Sequence, residues 1–313
     1  MKIKSFFVSV LFFLMFTNLY SQNTYEFLRI DPSARASALG GSFVSVTDDA
    51  DIIFYNPSGI GYLTGNPISF SFVKHLLDIN LASLSFSTEI ENIGRFGAAL
   101  KYINYGTFEQ ADEFGNRNGE FGAGELATII GYSNQIDENF FYGVNAKIIY
   151  SKIADRSSSA IAMDLGLNYS FPEEMLSVGF SVLNLGTQIS SYYSTKEELP
   201  LDIVLGVSKR LERIPVRLSL DFHRLNDDKE SFMQRFKSFN LGAELTLSKV
   251  LKLRVGYDNQ KRSDLKIGTT AGIAGFNFGI GASVSSYQFD YAYSSYGLVG
   301  ALHRIGISTN LEF

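Results

Sequence analysis

Apolar and polar residues alternate one by one over much of this chain. In "YGVNAKIIYS", Tyr142, Val144, Ala146, Ile148 and Tyr150 share a face, and Gly143, Asn145, Lys147 and Ser151 share the other. In "AIAMDLGLNYSF", Ile161, Met163, Leu165, Leu167, Tyr169 and Phe171 oppose Asp164, Gly166, Asn168 and Ser170. "FNLGAELTLS" sets Phe239, Leu241, Ala243, Leu245 and Leu247 against Asn240, Gly242, Glu244 and Thr246. A side-chain period of two puts each set on one side of a sheet. The same pattern, followed along the chain, predicts about fourteen strands. They lie near 68–74, 81–88, 95–104, 125–134, 140–151, 160–171, 176–185, 201–210, 215–224, 238–247, 251–258, 274–284, 287–294 and 302–313.

The connections between strands alternate in length. Long polar stretches fall at 105–124, 186–200, 225–237 and 259–273, and tight turns such as "QIDEN", "PEEM", "LERIP", "SKV" and "SS" fall between them. Long loops at one end and short turns at the other suit a transmembrane antiparallel β-barrel. A large soluble β-sandwich would also alternate, since one face of each sheet is buried. Strands of about ten residues fit a tilted membrane crossing better than the shorter strands usual in sandwiches. The last strand also ends on an aromatic, with Ile305, Ile307, Thr309, Leu311 and Phe313 on one face. The expected fold is therefore all-β, a membrane barrel.

Composition then narrows the compartment. Lys2 and Lys4 precede the apolar run "FFVSVLFFLMF" (6–16), and "TNLYSQ" follows with the small residue Ser21. This is the layout of a secretory signal peptide, too short to anchor in a bilayer. The organisation expected is a signal peptide at 1–21, an N-terminal plug or periplasmic segment at 22–67 and a barrel at 68–313. Loss of Lys2 and Lys4 takes the formal charge from −5 to −7. An acidic exported chain lacks the basic patch that nucleic acid requires. There is no Cys, so disulfides, thiolate nucleophiles and zinc-thiolate sites are excluded. Phe and Tyr number 27 and 17 and Pro only 6, a composition that suggests many β-strands and, in an exported chain, makes an outer-membrane barrel one option.

Little in the sequence points to chemistry. His75, His223 and His303 are isolated and show no metal-pair spacing. No nucleophile elbow of the form G-x-S-x-G occurs, and "GIGAS" (279–283) lacks the strand–loop–helix setting of a nucleotide loop. The carboxylates of 109–125 do not match a calcium loop. Neither enzyme activity nor a cofactor or metal is expected. The most distinctive stretch is "ALGGSFVSVTDDADIIFYNPSG" (38–59). Gly40 and Gly41 permit a tight turn after a short helical piece, "SARASAL". Asp48 and Asp49 suit a turn or a helix N-cap, and Pro57 biases Asn56 toward an extended conformation before Ser58-Gly59 completes a turn. A folded insert with sharp turns is expected here, not an active site.

This stretch resembles the N-terminal signature of the PorV/PorQ family, which is related to FadL-like outer-membrane barrels. The matching residues are Ala38, Leu39, Gly40 and Gly41, then Asp48-Asp49-Ala50, then Asn56-Pro57-Ser58-Gly59. FadL relatives share the Asn-Pro element. Downstream, "NYGTFEQADEFGNRNGEF", "LPLDIVLGVSKRLERIPVRLS", "LRVGYDNQKRSDLK", "YQFDYAYSSYG" and "HRI" look more PorQ-like than PorV-like. The resemblance implies a fourteen-stranded barrel with an N-terminal plug in the outer membrane of a Gram-negative bacterium. It implies a non-enzymatic component of the type IX secretion system that anchors or assists the cell-surface cargo-attachment complex. The implied partners are outer-membrane lipid and other secretion-system proteins, with a lipid or detergent-like molecule in the lumen as a further ligand. By the same analogy, Phe313 is a barrel-assembly signal. The alternative is a FadL-like transporter of hydrophobic small molecules, which requires an apolar pocket in the lumen and a gap or kink in the wall.

Overall fold

The computed structural model describes residues 24–112, 114–227, 232–266 and 272–312. The proposed signal peptide and Phe313 lie outside the described residues. Fourteen antiparallel strands close into one barrel, each paired with its sequence neighbours, and β1 (Asn66–Lys74) pairs with β14 (Ala301–Leu311). Closure gives every strand a partner on both sides, which suits spanning lipid with strands. Between them run β2 (Asn80–Ile90), β3 (Gly94–Ala111), β4 (Arg117–Asp137), β5 (Phe140–Ile153), β6 (Arg156–Phe171) and β7 (Leu176–Ser190). They are followed by β8 (Asp202–Arg210), β9 (Val216–Phe222), β10 (Phe239–Thr246), β11 (Leu251–Asp258), β12 (Phe276–Val284) and β13 (Tyr287–Ser295).

The alternation places bulky apolar residues outside. Leu100, Ile130, Ile148, Leu165, Leu205, Leu241, Phe278 and Ile305 are all exposed on the outer wall. Polar residues at the alternate positions, such as Lys101, Asn145, Lys147, Asp164, Glu244 and Arg254, are buried inside. An inside-out pattern of this kind suits a wall solvated by lipid. Aromatic contacts Phe96–Tyr132 and Phe140–Tyr169–Phe171 cluster near the tight turns. Phe239–Tyr257–Phe276 forms a similar cluster at the opposite end.

The wall is uneven in height. β3 and β4 run 18 and 21 residues, whereas β9 and β10 run 7 and 8. The stretch 105–124, expected from its glycines and charges to be a loop, is mostly strand. β3 reaches Ala111 and β4 starts at Arg117, with register shifts at Asn104/Thr107 and Gln110/Ala111. Its glycines weaken strand propensity, but cross-strand contacts such as the stacked Phe108–Phe121 pair (5.4 Å) override that local preference. The connection 154–155 between β5 and β6 is also tight, so the long connections fall mainly after β7, β9 and β11. Here the end carrying the tight turns is called the turn end, and the opposite one the loop end.

Candidate functional site

Residues 24–65 occupy the lumen. The segment starts at the loop end, where Thr24 donates its backbone N–H to Glu198 O in the β7–β8 connection (3.1 Å). It finishes at the turn end, where β1 begins. Ser33 caps the helix α1 (Ala34–Ala38), accepting from Ala36 N. Gly40 (φ 70°) and Gly41 (φ 83°) turn the chain where side chains would strain it. Asp49 accepts from Asp51 N and caps the 3-10 turn Ala50–Phe54. Asn56, extended at φ −157°, accepts from Ser58 N and caps Pro57–Tyr62 with Pro57 in the first turn.

An irregular segment inside a barrel has backbone polar groups that need partners. The inward side chains of the wall supply them. Asp221 accepts from Phe43 N (2.6 Å) and Val44 N (2.8 Å). Asn145 donates to Ile53 O (2.9 Å), Ser181 to Tyr55 O (2.9 Å) and Ser208 to Ser45 O (3.2 Å). Where backbones meet directly, the wall has glycine. A Cβ on Gly143 would run into Pro57 and Ser58, and one on Gly256 into Leu39 and Gly40.

Two unlike contacts hold the segment at mid-height. Toward β3 and β4, Ile52, Ile53, Ile60, Leu39 and Phe43 form an apolar cluster with Ala99 and Ile129. Toward β9–β13 the contact is ionic. Arg35 forms a two-pronged bond to Glu244 (3.0 Å to each oxygen) and also meets Asp49 (3.2 Å). Glu244 accepts from Arg254 Nε (2.7 Å), and Arg254 meets Asp290 (2.5 Å). Asp48 sits at the turn-end edge of this network, bonded by Arg217 (2.8 and 2.6 Å), Arg210 (3.1 Å) and Arg35 (3.1 Å). Burial raises the Asp48 carboxyl, but the Arg35 charge, with Arg217 and Arg210, outweighs it and holds the group well below the usual carboxylate range.

Above the segment, toward the loop end, lies a chamber of about 420 Å³. Leu28, Ile30, Phe54, Tyr55, Ile129 and Leu183 give it apolar walls, and Lys101, Lys147, Arg304, Asp31, Asp202 and His223 give it a charged rim. Lys101 is tied to Leu28 O and Ile30 O, and Arg304 to Asp31 O. The chamber reaches the wall at an irregularity in β7. Pairing of β6 with β7 skips at Met163/Leu165, and Asn184 adopts a positive φ of 62°. Asp164 fills the bulge, accepting from Asn184 N (2.8 Å) and meeting Lys147 (2.8 Å). Pairing of β7 with β8 ends at Leu183–Asp202, so the upper part of β7 has no β8 partner. His223 closes the adjoining rim by bonding Asp202 (3.2 Å). Burial lowers its imidazole, but Asp202 outweighs this and raises it to about 9.

The structure therefore brings Ala38, Leu39, Gly40, Gly41, Asn56 and Pro57 together as buried segment-to-wall contacts, packs Gly59 against Ile52 within the segment, and places Asp48 and Asp49 on the ionic side. None of these residues lines the loop-end chamber. Among the described residues no group of His, Asp and Glu is arranged to hold a metal ion. Sequence reasoning missed Arg35, Arg217, Arg254, Lys147 and Asn184. For Lys147, Arg217 and Arg254 the available signal was a charge on the inward face of an alternating strand; Arg35, on the luminal helix, and the uncharged Asn184 carried no such signal.

No protein-family profile matches the chain. It is 24% identical over 201 residues to the UPF0164 protein of Treponema pallidum, covering 58% of this chain and 47% of that one. The chain thus spans about half the length of the curated relative it matches. Among solved structures it resembles the toluene transporter TodX of Pseudomonas putida (TM-score 0.58, 13% identity, 89% of this chain and 98% of that one). The toluene transporter TbuX of Ralstonia pickettii is similar to the same degree (0.60, 12%, 90% and 98%). A FadL homologue of Pseudomonas aeruginosa follows (0.54, 10%, 94% and 99%). The fold is that of FadL-like outer-membrane barrels.

Proposed function

We propose that the protein resides in the outer membrane, loop end outward, and passes small molecules with an apolar body. The chamber beside the β7 irregularity carries this reading, because it joins an apolar-walled luminal pocket to an incompletely paired part of the wall. In this reading the luminal segment 24–65 is a plug that closes the turn end, with Asn66 and Pro67 of the expected plug belonging to β1, and the route out of the chamber is sideways at β7–β8. The FadL-like fold, shared with two barrels described as toluene transporters, supports it. No group for bond-making chemistry is needed. The chain has no Trp, so Leu28→Trp places a single indole reporter in the chamber. Titration with toluene or an alkyl detergent should give a saturable fluorescence change, and a strictly linear response would count against a binding chamber.

A second reading is favoured by one observation, the β3–β4 hairpin. It rises beyond the shorter wall strands and presents Phe114 (81% exposed) at its tip. That suits a surface contact with another protein, as the PorV/PorQ resemblance implies for an anchor in type IX secretion. Affinity capture from gently solubilised outer membrane, with and without residues 106–122, separates the readings. Hairpin-dependent capture of secretion-system proteins supports the anchor, whereas uptake without such capture supports the transporter.

A further inference from the structure

The outer face of the tall flank carries a concavity that transport does not use. It has a volume of about 620 Å³ and is lined by Asp78, Asn80, Tyr102, Asn104, Thr107, Gly122, Gly124 and Lys152, among others. The strand register explains how it forms. Asn80 pairs with Asn104, Asn104 with Gly124, and Gly124 with Lys152, so these four residues form one row across β2–β5. Three of them present amide or ammonium groups, and the glycine leaves a gap in the row. Tyr102 lies over that gap: a Cβ on Gly124 would lie 3.5 Å from its hydroxyl and 3.7 Å from Cε2. One row nearer the turn end, Ala82, Tyr102, Leu126 and Tyr150 are paired in the same way. One row nearer the loop end, Thr107 pairs with Gly122, which again contributes no side chain. The register shift at Asn104/Thr107 falls between the Asn104 row and this one.

We infer that this concavity is a binding site for a pyranose ring, with Tyr102 as its stacking platform. An aromatic face packs against the C–H face of a sugar, and amides, a carboxylate and a hydroxyl at its border exchange hydrogen bonds with sugar hydroxyls. Tyr102 is 45% exposed and Gly124 and Gly122 supply the floor. Lys152 adds a cation for a phosphate substituent. Asn80 Nδ2 donates to Asp78 O, Asn104 Oδ1 accepts from Gly106 N and Asp78 Oδ1 meets Lys74, which leaves Asn80 Oδ1, Asn104 Nδ2, the Thr107 hydroxyl and Asp78 Oδ2 to face a sugar. The aromatic row lies just below the polar row, which places the sugar immediately above the lipid-facing band. A glycolipid of the outer leaflet and a soluble glycan offer the same ring. The outward orientation proposed above bears only on which of them is the source. Binding in detergent does not depend on it.

The test uses the purified full barrel, the delipidated core oligosaccharide of lipopolysaccharide and intact lipopolysaccharide. Saturation-transfer NMR should show sugar protons close to an aromatic ring in the native protein. Tyr102→Ala and Gly122→Val, which remove the platform and fill the floor, should each weaken binding at least tenfold. Lys152→Ala should weaken a phosphorylated oligosaccharide several-fold and leave a neutral one unchanged. Retention of lipopolysaccharide through purification, lost in both variants while free oligosaccharide binds weakly, identifies the leaflet glycolipid. Equal affinity for the free oligosaccharide identifies a soluble glycan. The inference is overturned if neither probe binds, or if binding is the same in Tyr102→Ala and Gly122→Val barrels of native heat-modifiability.

Discussion

The luminal segment meets the wall through an apolar side and an ionic side. Toward β3 and β4 the contact is Ile52, Ile53, Ile60, Ala99 and Ile129. Toward β9–β13 it is Arg35, Asp48 and Asp49 against Glu244, Arg254 and Arg217. Apolar contact is non-directional and tolerates sliding. The paired fork of Arg35 on Glu244 fixes both position and angle. The apolar side thus supplies adhesion, while the ionic side sets where the segment stops. The turn-end edge of the ionic side is also where solvent reaches, since the Asp48 side chain is 37% exposed.

The largest effect should come from Glu244→Leu. It removes the carboxylate that Arg35 and Arg254 share and leaves Arg35 with Asp48 and Asp49 and Arg254 with Asp290, so the cost should lie at the lower end of the about 3–5 kcal/mol typical of breaking a buried pair. Denaturant midpoints in detergent and protease cleavage within residues 24–65 should both report the loss. A triple change of Arg35, Glu244 and Arg254 to apolar residues should recover much of the stability but leave the segment's position less defined. Ile60→Ala on the opposite side should cost about 2–4 kcal/mol by opening a cavity. Its effect should be the same in low and high salt. Gly256→Ala should follow at about 1–3 kcal/mol, because the new methyl meets Leu39 and Gly40 backbone.

Smaller effects mark the exposed edges. Asp48→Asn should cost about 1 kcal/mol or less after solvent screening, and the difference should shrink as salt rises. Because the Asp48 carboxyl is depressed in the folded state, its contribution is present above the unfolded value of about 3.9 and is lost as pH falls. His223 behaves oppositely. Its folded value is raised to about 9, so its bond to Asp202 stabilises the chamber rim fully below about 6.5 and is lost as pH rises through about 9. Amide protection at 223–227, taken relative to the intrinsic exchange rate at each pH, should fall over that window, and His223→Ala should remove that fall.

Much of the barrel was legible in the sequence because each strand states its register locally. The alternation through Tyr142, Val144, Ala146 and Ile148 needs no distant residue to be read. The turns of the segment were legible for the same reason: Gly40-Gly41, Asp49 and Asn56-Pro57 each act on their own neighbours. The ionic contact was not, because Arg35 and Glu244 are 209 positions apart and only barrel closure brings them together. Nor was the height of β3–β4. Gly106, Gly119 and Gly122 read as loop, and only pairing between the two strands makes them sheet. The chamber depends on where β8 starts relative to β7, a property of neither strand alone.

Whether cargo leaves through the wall or past the segment can be tested with a covalent lock. The chain has no Cys, and a Cβ on Gly306 would lie 3.4 Å from that of Ala34, close to disulfide geometry. Ala34→Cys/Gly306→Cys should therefore fix the luminal segment to β14 when oxidised. Uptake of radiolabelled toluene by cells producing this barrel should be the same oxidised and reduced, and faster than in cells lacking it. Uptake that collapses on oxidation and returns on reduction would show that the segment must move and that cargo exits at the turn end, contradicting sideways release. Uptake no faster than in cells without the barrel would contradict transport itself.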